Sequence, residues 1–150
     1  MSRELVVVGS GPAGISAALW ARSLELDVLV LDAGPAPGGQ LHAVHFHPLA
    51  VPGFELGDGP ALAAAYARQL EAAGVTLRCD STAVSLHPAG EPGGLAEVGV
   101  LAGEPIVAQA VLVATGVRRR RLGVPGEREL EGRGVSFSAT RDHARLAGQP

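Results

Sequence analysis

The sequence predicts an α/β fold in which a parallel sheet flanked by helices is extended by an antiparallel β-meander. Three observations predict it. Short apolar, β-branched runs at Leu5–Val8 and Val28–Leu31 bracket a segment with helical apolar spacing, a β-α-β pattern. Both runs are apolar at consecutive rather than alternate positions, as strands covered on both faces require. Between residues 82 and 108 the pattern changes to short strand-like runs parted by Pro/Gly turns, which reads as hairpins instead of helical crossovers.

The first run stops at Gly9-Ser10-Gly11-Pro12-Ala13-Gly14, and the following helix begins there. The spacing is G-x-G-x-x-G. Gly9 permits the turn, Gly11 lets backbone N–H groups approach phosphates without a Cβ, and Gly14 lets the helix pack closely on the strand. The helix N-terminus adds unpaired N–H groups and a partial positive charge. The second run ends in Asp32, eighteen residues after Gly14, where a carboxylate accepts a ribose hydroxyl. Together these residues form a Rossmann-like pyrophosphate cradle whose cofactor the spacing leaves unspecified. The competing reading is a structural β-α-β turn that holds no ligand.

The remaining elements follow in order. In the helix after the cradle, Ile15, Ala18, Leu19 and Arg22 fall at i, i+3, i+4 and i+7, so its apolar side faces a sheet. Residues 33–57 form a long segment rich in proline and glycine that carries three of the five histidines, and connectors of this length are usually functional. Asp58 caps the next helix, Pro60 sits in its first turn, Leu62, Tyr66 and Leu70 line one side, and Gly74 ends it. Val75–Cys79 is a third parallel strand. Thr82–Leu86, Leu95–Leu101 and Ile106–Ala108 make the meander, and Ala110–Ala114 returns to a buried strand that closes at Thr115-Gly116. Beyond Val117 the periodicity fades. Gly132–Phe137 reads as one more strand, and Asp142 as the start of a helix.

Composition bounds the function. A chain of 150 residues with 47% apolar and 18% charged residues supports one globular domain with a core, and is too short for two full nucleotide-binding domains. The net charge of −3 gives no general attraction to nucleic acid or acidic membrane. All twelve basic residues are arginine, so neither a lysine Schiff base nor a P-loop is available. A single cysteine, Cys79, forms no internal disulfide and fits a cytoplasmic setting. No apolar run reaches the ~20 residues of a membrane span, and Leu5–Trp20 lacks the basic leader of a signal peptide.

Three groups admit a sharp and a plain reading. His42, His45 and His47 invite a metal, but without spaced cysteines or a helical H-x-x-x-H the expectation is no metal. Their alternatives are lining the cofactor loop or lying in solvent. Cys79 reads as a small buried hydrophobe rather than a nucleophile. Arg118–Arg121 reads as a solvated turn, with phosphate binding as the alternative.

Taken together, Gly9–Gly14, Gly38-Gly39-Gln40-Leu41, Pro52-Gly53-Phe54, Ala114-Thr115-Gly116, Gly123-Val124-Pro125-Gly126-Glu127 and Gly132–Val135 resemble, in order, the low-molecular-weight thioredoxin reductase family of flavoproteins. The resemblance covers essentially the whole chain. It implies a three-layer FAD-binding domain over residues 1–117, incomplete at its C-terminal side. Residues 118–150 are then a linker and the start of a second, NAD(P)H-binding domain. It further implies FAD diphosphate on Gly9, Ser10, Gly11, Pro12, Ala13 and Gly14, and adenosine ribose on Asp32. Gly39, Gln40 and Leu41 would run beside the flavin, Val84 would meet the adenine through its backbone, and Ala114, Thr115 and Gly116 would close the site. An aspartate at position 32, where many relatives carry glutamate, is a minor departure.

Two departures bear on chemistry. Ala50 stands where relatives usually have a flavin-contacting asparagine. The family's redox-active Cys-Ala-Thr-Cys-Asp is here Ser138-Ala139-Thr140-Arg141-Asp142, and a hydroxyl with a guanidinium cannot act as a dithiol. Asp142 keeps the family's proton-donor position, and Arg141 would stand opposite the flavin; these two are the candidate catalytic residues. The expectation is the FAD-binding part of an NAD(P)H-dependent oxidoreductase that passes electrons to a redox protein such as ferredoxin, a quinone or a small molecule. The full-length protein is expected to be a homodimer. A stand-alone flavin or nucleotide-binding module, and an NAD-binding domain with Asp32 on that cofactor's ribose, are the alternatives.

Overall fold

The computed structural model describes residues 2–48, 51–54, 57–118, 120–138, 142 and 147–148. The chain divides into two compact units, Met1–Gly116 and Val117–Pro150.

In the first unit, β1 (Arg3–Val8), α1 (Pro12–Ser23) and β2 (Val28–Leu31) form the expected β-α-β unit, with β1 and β2 parallel and Leu5 opposite Val28. Among the described residues of the long connection that follows β2, Gly39–Ala43 form a 3-10 turn. Helix α2 (Gly59–Ala72) begins at Asp58, whose side chain accepts a hydrogen bond from Ala61 N at 3.0 Å and so satisfies one orphan amide of the first turn. Strand β3 (Thr76–Arg78) then pairs parallel with β2. Strands β4 (Ala83–His87), β5 (Ala96–Val100) and β6 (Ile106–Val113) follow, and the sheet order is β3-β2-β1-β6-β5-β4.

Strand β6 departs from expectation. The runs at 106–108 and 110–114, read as separate strands, are one strand of eight residues. Its N-terminal half pairs antiparallel with β5, Ala96 facing Ala108, while Ala108–Val113 runs parallel to β1. Gln109, the polar residue that broke the apolar pattern, is exposed and costs the strand nothing.

Alternation on β1 and β2 builds two cores. Val7, Val28 and Val30 point toward the helices and pack with Ile15, Ala18, Ala21 and Leu70. Val6, Leu29 and Leu31 point the other way and are closed over by Val98 and Ala108, with Ala83, Val100 and Ile106 against them. The antiparallel ribbon therefore covers the second face, giving three layers: helices, parallel sheet and ribbon. Each fully buried Val or Leu contributes about 1.5–3 kcal/mol of transfer free energy, which is why these two clusters, rather than local propensity, hold the layers together.

The second unit, described by itself, is built from turns. Gly132–Phe137 is not a strand: Glu131 and Val135 make an isolated bridge, and the intervening Gly132 and Gly134 take φ of 75° and 140°, outside the range of extended L-residue backbone. Glu127, only 4% exposed, accepts hydrogen bonds from the backbone N–H groups of Leu122 (3.0 Å) and Gly123 (2.8 Å). Those two amides hold its carboxyl below the ordinary carboxylate range, against the opposing effect of burial and with smaller help from Arg121 and Arg128.

Candidate functional site

The parallel strands β1, β2, β3 and β6 end on one edge of the sheet, and the site is assembled there. Hydrogen bonds continue past the strand ends: Gly9 N donates to Leu31 O at 2.8 Å, Ala114 N to Val8 O at 2.8 Å, and Asp32 N to Arg78 O at 2.9 Å. The turn after β1, the acid after β2 and the segment after β6 are thereby set side by side at the carboxyl edge, where ligands bind in open α/β sheets.

The glycines of the turn have distinct reasons. Gly9 has φ of 105°, and a Cβ there would overlap the Ala114 carbonyl, so the first turn and the Ala114-Thr115-Gly116 segment are in direct backbone contact. A Cβ at Gly14 would overlap the Gly9 carbonyl, which is how closely α1 packs on the turn. Gly11 is different, with ordinary extended dihedrals (φ −71°, ψ 179°) and no protein atom within 4 Å of the place a Cβ would take. Its missing side chain serves open space.

That space lies at the N-terminus of α1, where Pro12 occupies the first helical position, no side chain caps the amides and the first turn holds no acidic residue. The leading N–H groups of a helix have no intrahelical acceptor and carry partial positive charge. A cradle left open by Gly11 and uncapped by side chains fits a diphosphate.

Around it stand the other predicted residues. Gly38 N donates to Ser10 O at 2.8 Å, and a Cβ at Gly39 would come within 3.2 Å of Gly11 Cα, so the 3-10 turn bearing Gln40 and Leu41 abuts the glycine turn. The Gln40 Nε2 atom reaches to 3.8 Å from where a Gly116 Cβ would be. Asp32 is half-buried, and its carboxylate accepts from Ser10 N at 2.7 Å, from the Ser10 hydroxyl, and from Gly34 N at 2.7 Å. Ser81 N donates to Asp32 O at 2.8 Å and Asp80 N to Gly34 O at 2.9 Å, which straps the acid's segment to the chain entering β4. Val84, 58% exposed, lies in that strand just past the strap.

The sequence did not identify the Ser10–Asp32 contact, the Asp80–Ser81 strap or the part played by α2. Ala63 of α2 packs where a Cβ at Gly38 would come within 2.5 Å, and Gly59 abuts the Leu41 carbonyl. A serine inside the first glycine pair and the doubled Gly38-Gly39 were the available signals.

Of the histidines, the His42 ring meets Pro37 O at 2.9 Å, and the His47 ring meets Gly57 O at 2.9 Å while stacking on Phe54 with centroids 5.9 Å apart. Both hydrogen bonds tie the loop to itself, and among the described residues no three metal-ligating side chains converge. Cys79 is partly buried, and burial, then Asp32 and Asp80, raise its thiol pKa. That makes it a poor nucleophile at neutral pH. In the second unit Arg118 and Arg120 are exposed, while Arg121 pairs with Glu131 at 2.8 Å and lies 5.5 Å over the Phe137 ring. Asp142 is 5% exposed, accepts from the Ser136 hydroxyl at 2.5 Å, and donates from its backbone N to Ser138 O at 3.0 Å. Arg141 and Ala50 lie outside the described residues.

A three-layer α/β unit with a glycine cradle at the carboxyl edge of its parallel strands, and an acid on the neighbouring strand, defines a dinucleotide-binding protein. Residues 3–150 match the model of the pyridine nucleotide-disulphide oxidoreductase family, and the chain belongs to that family. It is 40% identical over 148 residues to a bifunctional thioredoxin reductase/thioredoxin of Mycobacterium leprae, covering 97% of this chain and 31% of that protein. It is 38% identical over 145 residues to a thioredoxin reductase of Streptomyces coelicolor, covering 93% of this chain and 42% of that one. Among solved structures, thioredoxin reductase of Lactococcus lactis superposes with a TM-score of 0.79 at 31% identity, over 96% of this chain and 45% of the other. The chain thus spans less than half the length of these relatives. Among the described residues no helix is long and apolar enough to cross a membrane.

Proposed function

We propose that Met1–Gly116 is the FAD-binding part of an NAD(P)H-dependent flavin oxidoreductase resembling thioredoxin reductase but working without a dithiol. The observation that carries this reading is the convergence of four separate segments, Gly9–Gly14, Asp32, Gly39–Leu41 and Ala114–Gly116, on one open cradle at the carboxyl edge of the sheet. A nucleotide diphosphate is held by the α1 amides and admitted by Gly11. Asp32 accepts from the adenosine ribose, Val84 offers its backbone to the adenine, and Gly39, Gln40 and Leu41 flank the flavin end. Thr115 and Gly116 close that end, with Gln40 reaching toward Gly116. When bound, the flavin supplies acceptance of a hydride from a reduced nicotinamide and its release as electrons.

Ser138 and Arg141 stand where the resemblance puts two cysteines, and with Cys79 the chain's single sulfhydryl, these residues cannot form an internal disulfide. The proposed acceptor is therefore reached from the flavin directly: a ferredoxin, a quinone or a small molecule. The nicotinamide site belongs to a second domain that residues 118–150 lead into, in a cytoplasmic homodimer. The test is reconstitution of the full-length protein with FAD, followed by anaerobic mixing with NADH and NADPH. Flavin absorbance that bleaches and recovers with an acceptor, with no thiol-dependent reduction of thioredoxin, is the expected result. A protein that binds FAD but is bleached by neither nicotinamide is instead a binding module, and one that binds no flavin overturns the reading.

A further inference from the structure

We infer that Ser10 is a positioning residue for Asp32, and that it leaves this carboxylate free to accept one ribose hydroxyl rather than two. The inference rests on the nucleotide-binding reading and concerns how that site reads its sugar. Ser10 is fully buried, although it sits inside the turn that meets the ligand. Its backbone N and its hydroxyl both donate to Oδ2 of Asp32, and Gly34 N donates to Oδ1. A carboxylate offers about four lone-pair sites, two on each oxygen. Two donors fill Oδ2 and one occupies Oδ1, so a single acceptor site remains, on Oδ1.

The short aspartate side chain is thereby fixed in orientation on both oxygens. Asp32's own backbone is fixed as well, since its N donates to Arg78 O and its O accepts from Ser81 N. An acid with both oxygens free can take the 2′ and 3′ hydroxyls together, one on each oxygen. Here the geometry admits one hydroxyl only, and a 2′-phosphate in the same place would meet a fixed negative charge. The site therefore recognises an unphosphorylated adenosine ribose through one hydroxyl.

Competition against bound FAD by ADP, 2′-deoxy-ADP and 3′-deoxy-ADP tests this on the unmodified protein. ADP should displace FAD, one deoxy analogue should compete about as well as ADP, and the other about tenfold worse, the loss of one hydrogen bond to a charged acceptor. Ser10→Ala should shrink that ratio toward one. A purely structural Ser10 would lower thermal stability and leave the ratio unchanged, which would overturn the positioning role. Equal losses with both deoxy analogues would overturn the single-hydroxyl reading while leaving the nucleotide site standing. Failure of ADP to compete at all would remove the site itself.

Discussion

Gly11 offers the most direct separation of binding from folding. Its dihedrals, φ −71° and ψ 179°, are open to any L-residue, and an alanine Cβ would meet no protein atom within 4 Å. Gly11→Ala therefore restricts the unfolded chain, worth about 0.4–1 kcal/mol in favour of the fold. It also replaces a favoured N-cap glycine by alanine, a penalty of about the same size. The two offset, and the melting temperature should move by no more than a few degrees. The methyl group does project into the open space at the N-terminus of α1, where the diphosphate is proposed to lie. Losing one charge-assisted hydrogen bond there costs about 1.5–3 kcal/mol, a roughly tenfold to hundredfold weaker FAD. Titration of the apoprotein with FAD by flavin fluorescence measures it, with circular dichroism as the check on folding. Gly14→Ala is the contrasting variant: its Cβ overlaps the Gly9 carbonyl, so α1 must shift, and stability should fall by about 1–3 kcal/mol. If Gly11→Ala folds and binds FAD as the parent does, the cradle is not where the diphosphate lies.

Two further predictions concern ionisation. The Cys79 thiol, its pKa raised by burial and then by Asp32 and Asp80, should react with a disulfide reagent more slowly than free cysteine at pH 8. Raising the pH should speed the reaction, and Asp80→Asn should too; a rate matching free cysteine in the parent would contradict this. Glu127 has a folded-state pKa lowered from 4.5, so its contribution to the Val117–Pro150 unit is present above the unfolded pKa and lost as pH falls through the folded value. Protection factors of the Leu122 and Gly123 amides, measured relative to the intrinsic exchange rate at each pH, should fall below about pH 4.5 in the parent and change far less with pH in Glu127→Gln. Identical pH profiles for the two proteins would remove that account.

Much of this architecture is legible in the residues because the signals are local. Asp58 before Pro60, and Leu62 and Leu70 on one face, specify α2 through short-range capping and periodicity, and the structure buries both leucines. The consecutive apolar residues of Val28–Leu31 declare a doubly covered strand, and all four are buried. What escaped is non-local. Nothing near Ile106 announces that one strand serves both the ribbon and the parallel sheet, because its register is set by β1 and β5, far away in sequence. Nor does Ser10 announce its bond to Asp32, twenty-two positions on. The strand expected at Gly132–Phe137 failed because β-branched and aromatic residues favour extension, while the glycines among them took positive φ. At the site, spacing identified the glycines, but only the packed structure separates Gly9 and Gly14, which make room for neighbouring backbone, from Gly11, which makes room for something else.

The placement of β1 has a consequence for how the chain is made. It lies between β2 and β6, and its second neighbour spans Ile106–Val113, about a hundred residues further along. At a synthesis rate of about 5–20 residues per second, roughly 4–16 s separate the emergence of β2 from that of β6. During that interval the nascent β1 has a partner on one edge only, and Val6, on the face later closed by Val98 and Ala108, awaits cover. The parallel sheet of this unit is therefore completed only once Ile106–Val113 has emerged, and a ribosome stalled before Ile106 would hold a β1 with one strand edge unpaired.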